Sequence, residues 1–456
     1  MKAYSCRLLA LPWLLMTIHQ ATAQGVNFDP AFLLGVGSAP AYVVAADVNG
    51  DGKVDLISAN AGDGTLTVMT NNGSGGFALA ATLVVGNFPL FVTAADVNGD
   101  GKLDLISADF GSGGLGNTLT IWTNNGNGFG YNSTLTVGSG PYAVVAADVN
   151  GDGKVDLISA NANDGTLTVL TNNGMGGFGL SATLPVGASA SSYPDSVAAA
   201  DVNGDGKVDL ISANANDGTL TVLTNNGMGG FGLSATLTVG STPASVIVAD
   251  VNGDGKPDLI SANANDGTLT VLTNNGHGLF GFNATLNVGL SSGSSPENVV
   301  AVDVNGDGKP DLVSADFGDD TLTVLTNNGS GGFGLGATLS VGVAGSEPNA
   351  VAAADVNGDG KPDLISANFG TSTLSVLVNE TIFPLVAPSL AISLTGPNTV
   401  VVSWPSSAAG FVLQQNSDLT TMNWPDFSGT VNTNETTKSA TISPATNNLF
   451  FRLRHP

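Results

Sequence analysis

Cysteine is almost missing from this 456-residue chain, and the one thiol, Cys6, lies near its start. Without disulfides, an exported domain must draw its stability from core packing and bound metal. Histidine is as scarce: beyond the first 23 residues only His277 and His455 occur. No serine has an evident histidine and acid partner, and no zinc-ligand spacing occurs, so nucleophilic and zinc chemistry lack their parts. His277 stands where other repeats carry Ser74, Met175, Met228 or Ser330, which marks it as a turn residue. Positive charge is scarce too, with 12 Lys and Arg against 37 acids. Between Gln24 and Val386 the only cations are seven lysines, and the net charge there is −27. Such a surface repels phosphate backbones, so nucleic acid is a poor partner.

Long apolar runs are confined to the first residues. Lys2 and Arg7 precede an apolar stretch from Leu8 to Ile18, and Ala21-Thr22-Ala23 ends before Gln24. This pattern predicts a secretory signal over residues 1–23, too short for a membrane anchor. No later stretch could span a bilayer as a helix. A secreted or cell-surface protein is expected, and a monomer.

What is abundant is one nine-residue motif. Asp47-Val48-Asn49-Gly50-Asp51-Gly52-Lys53-Val54-Asp55 carries side-chain oxygens at positions 1, 3, 5 and 9, with glycine at 4 and 6. That spacing suits a loop wrapping a hard cation, with the position-7 carbonyl as a further donor. Seven copies recur 49 to 53 residues apart, and they predict up to seven calcium ions. In the first three copies the expected ligands are Asp47, Asn49, Asp51, Lys53 and Asp55; Asp96, Asn98, Asp100, Lys102 and Asp104; and Asp148, Asn150, Asp152, Lys154 and Asp156. The next two supply Asp201, Asn203, Asp205, Lys207 and Asp209, then Asp250, Asn252, Asp254, Lys256 and Asp258. The last two supply Asp303, Asn305, Asp307, Lys309 and Asp311, then Asp355, Asn357, Asp359, Lys361 and Asp363. An EF-hand or dockerin loop needs an acid at position 12, but here that position is Ser58, Ser107, Ser159, Ser212, Ser261, Ser314 and Ser366. The flanks also read as strands rather than helices.

A period near 50 residues signals a propeller or an array. Within one unit, Pro141 to Ala147 and Leu157 to Asn161 flank the acidic loop as short strands. Thr166 to Thr171 alternates with period 2, and Phe178 to Gly187 follows an Asn-Asn-Gly turn. Four antiparallel strands make one blade. The array begins with a stray fourth strand, Phe28 to Gly37, and ends on a third strand, Thr373 to Val378. These fragments together complete a seventh blade and close the ring. The fold expected over residues 24–385 is therefore an all-β, seven-bladed propeller closed by an N-terminal strand.

The repeated Asp-x-Asn-Gly-Asp-Gly-x-x-Asp resembles the FG-GAP/VCBS repeat family, which includes the seven-bladed propeller of integrin α-subunits. The likeness covers roughly residues 27 to 380. It implies calcium sites in the hairpin between first and second strands, with the residues named above as ligands. A Phe-Gly pair after the second strand occurs only at Phe110-Gly111, Phe317-Gly318 and Phe369-Gly370, and the family's Gly-Ala-Pro is missing. Residues 386–456 lack the loops and carry Trp404 and Trp424 among short strand-like runs. They resemble a small fibronectin type III-like β-sandwich.

Function is expected where the blades differ. The links between blades vary in length and content, and they should share the face opposite the acidic loops. Tyr42, Phe88, Phe91, Tyr142 and Tyr193 lie in or beside the first four links, and Phe110 opens the longest second-to-third turn. Aromatic platforms suit a glycan or a protein ligand, although packing between blades would also account for them. Acids outside the loops, including Asp63, Asp164, Asp217, Asp266, Asp316, Asp319 and Asp320, leave paired-carboxylate catalysis open. Their recurrence in one turn favours a structural role. The main reading is a non-catalytic adhesion or binding module; a polysaccharide lyase or hydrolase and a purely structural matrix protein are the alternatives.

Overall fold

The computed structural model describes residues 25–291, 293–383, 390–396, 399–405, 412–417, 424–434, 437–442 and 449–454. The expected signal segment lies outside these residues. By packing, the chain divides into Met1–Phe383 and Pro384–Pro456.

The first unit is all-β, built of seven four-stranded antiparallel sheets. Blade 1 consists of Pro40–Ala46, Asp55–Asn60, Thr65–Asn71 and Phe77–Val84, hydrogen-bonded in that order. Blades 2 to 6 repeat it, their first strands being Pro89–Ala95, Pro141–Ala147, Pro194–Ala200, Pro243–Ala249 and Pro296–Val302. Blade 7 joins Pro348–Ala354, Asp363–Asn368 and Thr373–Leu377 to Phe32–Gly35 from the chain start. Each first strand packs on the next blade's, and the last returns to the first, so the propeller ring is closed. The strand edges differ slightly from the sequence reading. The closing strand is Phe32–Gly35 with a separate bridge from Phe28 to Asn379, and the fourth strand of blade 3 stops at Pro185.

Position in the ring explains composition. Seven first strands converge on one axis; their ends next to the acidic loops are small and Ala-rich, as in PAYVVAA and PDSVAAA, whereas their starts carry larger residues such as Tyr42, Phe91 and Tyr142. Second strands, typically DLISAN, are buried along their whole length, because neighbouring blades cover both faces. Fourth strands form the rim and alternate between exposed and half-buried residues. The cores lie between blades. At the ring's seam, Val43, Leu56 and Met69 of blade 1 pack on Ile365, Leu374 and Val376 of blade 7.

A side-chain clamp repeats at every junction. Asn71 of blade 1 donates to the Val356 carbonyl in the acidic loop of blade 7, at 2.8 Å. Asn124, Asn172, Asn225, Asn274, Asn327 and Asn379 each grip the preceding blade's loop valine carbonyl at 2.6–2.9 Å. Each acidic loop is therefore part of a blade–blade contact.

In the second unit, Ala391–Gly396, Thr399–Pro405, Thr437–Ile442 and Val431–Thr433 form one sheet, and Val412–Asn416 pairs with Phe450–Arg454. Both contribute to one core around Val402, Trp404, Leu413 and Ala440.

Candidate functional site

Each acidic loop begins where a first strand ends. In blade 1, Asp47 Oδ1 accepts the N–H groups of Gly50 (2.7 Å) and Asp51 (3.2 Å), while Oδ2 accepts that of Gly52 (2.8 Å). Asn49 Oδ1 accepts from Asp51 N, and Asp51 Oδ1 from Lys53 N. Gly50 and Gly52 sit at φ 77° and 81°, a left-handed backbone that explains glycine at positions 4 and 6. The Lys53 ammonium pairs with Asp51 at 3.6 Å. Asp55 is fully buried and staples the loop to its blade: Oδ2 accepts Val48 N (3.2 Å) and Oδ1 accepts Asn71 N (2.9 Å). All of this recurs in the other loops, as at Asp303, Asp307 and Asp311. Position 12 is a buried serine that donates two residues onward, as Ser58 Oγ does to Asn60 Oδ1 at 2.9 Å.

Burial raises the Asp55 carboxyl above its ordinary range, against two N–H bonds that lower it, and the charges of Asp51 and Asp47 raise it further. Asp104, Asp156, Asp209, Asp258 and Asp363 behave alike, and Asp311 is pushed up to about 6. At Asp96 burial also works upward, but loop N–H groups outweigh it and the carboxyl is lowered. Among the described residues no three carboxylate or imidazole groups stand together as a metal-holding set. The donor chemistry nevertheless fits a hard cation. Asp47 Oδ2, Asn49 Oδ1 and Asp51 Oδ1 each accept one N–H and keep a second lone pair, the Lys53 carbonyl is a further hard donor, and among the described residues no cation pairs with Asp55.

The other end of the ring is different. One residue precedes each first-strand proline in a left-handed conformation: Ala39, Phe88, Gly140, Tyr193, Thr242, Ser295 and Glu347. The residues just after those prolines meet at the axis and line a cavity of about 40 Å³. Blades 1 to 3 present Tyr42, Phe91 and Tyr142; blades 4, 6 and 7 present Asp195, Glu297, Asn298 and Asn349. Tyr42 stacks on Phe91 with centroids 3.9 Å apart, and Tyr142 meets Tyr193 and Phe110 edge-on at 6.4 and 5.7 Å. Phe88 lies 6.4 Å from Phe110. The six aromatic candidates thus gather at one end, where they also pack across blade junctions. Asp195 is only 7% exposed, and its Oδ1 has no hydrogen-bond partner. Burial and the charge of Glu297 raise its proton affinity well above normal, and burial raises Glu297 against a hydrogen bond from Ser295. Tyr142 is raised well above 10 by burial and then by these acids, and burial pushes Tyr42 up to about 12.

Six overlapping stretches match the FG-GAP-like repeat: 47–107, 96–159, 148–212, 201–261, 250–314 and 303–366. The chain belongs to the FG-GAP-like repeat family. No significant match is found among curated proteins. Of solved structures, BBS1N, determined in complex with ARL6DN, is similar with 14% identity and a TM-score of 0.55, over 78% of this chain and 98% of that one. A protein from Lactobacillus plantarum matches with 13% identity and a TM-score of 0.49, over 93% and 99%. A lectin from Agrocybe aegerita, solved for its recognition of non-reducing terminal N-acetylglucosamine, matches with 21% identity and a TM-score of 0.46, over 75% and 87%. At 14% identity the likeness to BBS1N concerns the fold alone. Among the described residues, no helix of this FG-GAP-like repeat protein is long and apolar enough to cross a membrane.

The remaining acids fall into two groups. Asp63, Asp164, Asp217, Asp266 and Asp319 accept link N–H groups, as Asp63 Oδ2 does from Ser38 at 2.9 Å, and Asp320 accepts from Gly345 and Glu347. They brace links. Asp316 is not a turn residue like these: it ends a second strand, fully buried, where five blades carry asparagine. Ser314, Thr321 and Thr323 donate to it, and burial, against those hydroxyls, pushes it up to about 7. Asp109 occupies the same place in blade 2 and is also raised by burial. Asp195 and Glu297 carry no motif in the sequence. Their signal is one variable position, the residue after the first-strand proline, which reads Ala41, Leu90, Tyr142, Asp195, Ala244, Glu297 and Asn349.

Proposed function

We propose that this FG-GAP-like repeat propeller is a secreted, calcium-stabilised binding or adhesion module that takes a glycan or protein ligand at its link end. In this reading Asp47, Asn49, Asp51, the Lys53 carbonyl and Asp55, with their six sets of counterparts, hold calcium. When bound, the ion supplies positive charge to crowded carboxylates that have no other cation beside the buried member. The chain's own loop amides orient those oxygens, and the asparagine clamp ties each loop to the next blade. The small C-terminal unit is read as a fibronectin type III-like module. The observation that carries the proposal is the contrast between the ends: loop residues repeat from blade to blade, while exposed apolar side chains and half-buried aromatic ones vary at the links. Leu115, 85% exposed in the long turn of blade 2, is one of them.

The test is binding of the calcium-loaded protein to glycan and protein arrays, repeated with two pairs of substitutions. Leu115→Ser with Phe88→Ser alters the link end, whereas Met175→Ser with Met228→Ser alters turns at the loop end that are 80% and 84% exposed. Loss with the first pair alone is expected. Blank arrays would favour a structural role, and shortening of a bound polysaccharide would turn the reading towards an enzyme.

A further inference from the structure

The axial cavity is where all seven blades meet at the link end, and its two halves are chemically opposed. Aromatic rings of Tyr42, Phe91 and Tyr142 line one side; the carboxyls of Asp195 and Glu297 lie on the other. From these residues we propose that the axial cavity is a cation site taking one primary ammonium group. The proposal rests on the preceding reading only in treating the link end as the binding end.

Three observations lead there. First, the countercharge is missing. A buried carboxylate without a partner is costly, yet Asp195 Oδ1 is buried and unpaired. Among the described residues, the lysines of this unit sit in the acidic loops, where each meets its own loop aspartate. None lines the cavity. Second, the arrangement suits nitrogen better than a metal. Calcium asks for six to eight oxygens around it, but here the carboxylates lie on one side, and the ring side carries uncharged phenol oxygens, those of Tyr42 and Tyr142. Asn298 Oδ1 already accepts the Val351 N–H at 3.1 Å. An ammonium group offers three donors to one side and lays its charge against ring faces on the other. Third, the size is selective. A cavity of about 40 Å³ holds roughly three waters by the measure in which one needs about 10–15 Å³. That admits methylammonium and excludes a sugar ring. The raised proton affinities of Asp195 and Glu297, with Tyr142, Tyr193 and Tyr42 beside them, agree with a site that holds a proton until a cation displaces it.

The experiment is calorimetric titration of the full chain in millimolar calcium with methylammonium chloride, alongside tetramethylammonium and potassium chlorides. One-to-one binding of methylammonium is expected, with proton release visible as a buffer-dependent heat. Potassium and tetramethylammonium should bind at least tenfold more weakly. Asp195→Asn should weaken methylammonium at least tenfold, and Glu297→Gln should do so even where the first variant fails to fold. Tyr142→Phe keeps the ring and should retain binding. No methylammonium binding, equal binding of potassium, or binding unchanged in both acid variants would overturn the proposal. Array ligands that bind while methylammonium does not would sink this site and leave the binding-module reading standing. Methylammonium bound with blank arrays would do the reverse.

Discussion

The loop end and the link end of this propeller are made by the same strands, yet they solve different problems. At the loop end every blade repeats an acidic turn, a buried ninth-position aspartate and an asparagine clamp on the preceding blade. At the link end the same backbone turn, a left-handed residue before proline, carries alanine, phenylalanine, glycine, tyrosine, threonine, serine or glutamate. Sameness at the first end serves ring closure, since each junction needs the same bonds. Difference at the second end costs the scaffold little, because the N–H group just past each second strand holds the link residue by a backbone bond, as Ala61 N does with Ala39 O. Side chains there are free to diverge.

The largest test of this contrast is removal of divalent ions. Extracellular calcium sites of about 10⁻⁴–10⁻³ M affinity contribute roughly 0.4–1.4 kcal/mol each in millimolar calcium, so seven together amount to several kcal/mol. Excess chelator should lower the thermal midpoint markedly, and hydrogen exchange should rise first at the loop end. An unchanged midpoint would remove the calcium reading.

Next comes Asp316, which interrupts the uniformity of the second strands. Its carboxyl is near 7 in the fold against 3.8 for the ordinary group. The folded state therefore holds the proton more tightly, so this group's contribution is fully present below pH 3.8 and is lost as pH rises towards 7. At about 1.4 kcal/mol per pH unit, the loss approaches roughly 4 kcal/mol. Asp316→Asn should raise the midpoint at pH 8 and flatten stability between pH 4 and 7; denaturant melts across that range would show it.

A smaller effect is expected at the clamps. Asn71→Ala removes donors to Val54 and Val356 and should cost about 1–3 kcal/mol, as for a buried acceptor left unpaired. Asn225→Ala breaks the corresponding bond between blades 3 and 4. A larger loss at Asn71, read by urea melts, would show that the seam is the weakest junction, where closure depends on the short strand Phe32–Gly35. The smallest change is Thr242→Gly. Thr242 sits at φ 53°, and blade 3 uses Gly140 there. Relief of left-handed strain should raise stability by no more than about 1 kcal/mol, with array binding unaltered.

The candidate sites were unequally legible in the sequence. The acidic loops could be read because their chemistry is local: Asp47 to Asp55 are close in the chain, and the glycines mark the turn. The loop's internal bonds were less legible, since Asp55 meets Asn71 sixteen residues on. Phe88, Phe110 and Tyr193 could be placed at the link end, but not their contacts. Asp316 reads as one more turn acid until its strand is seen to end in the core.

The sequence by itself determined the blade. Period-2 runs, Asn-Gly turns and a unit near 50 residues specify four antiparallel strands, and the end fragments specify how blade 7 is completed. Those signals are short-range, acting over one turn or one strand pair. Only the tertiary structure decided what lies on the axis. Asp195 and Glu297 are 102 residues apart, and each reads alone as an ordinary surface acid. Closing seven blades into a ring brings both into one small cavity opposite Tyr42, Phe91 and Tyr142. Ring geometry, rather than any local pattern, takes these charges out of water and leaves Asp195 Oδ1 without a partner.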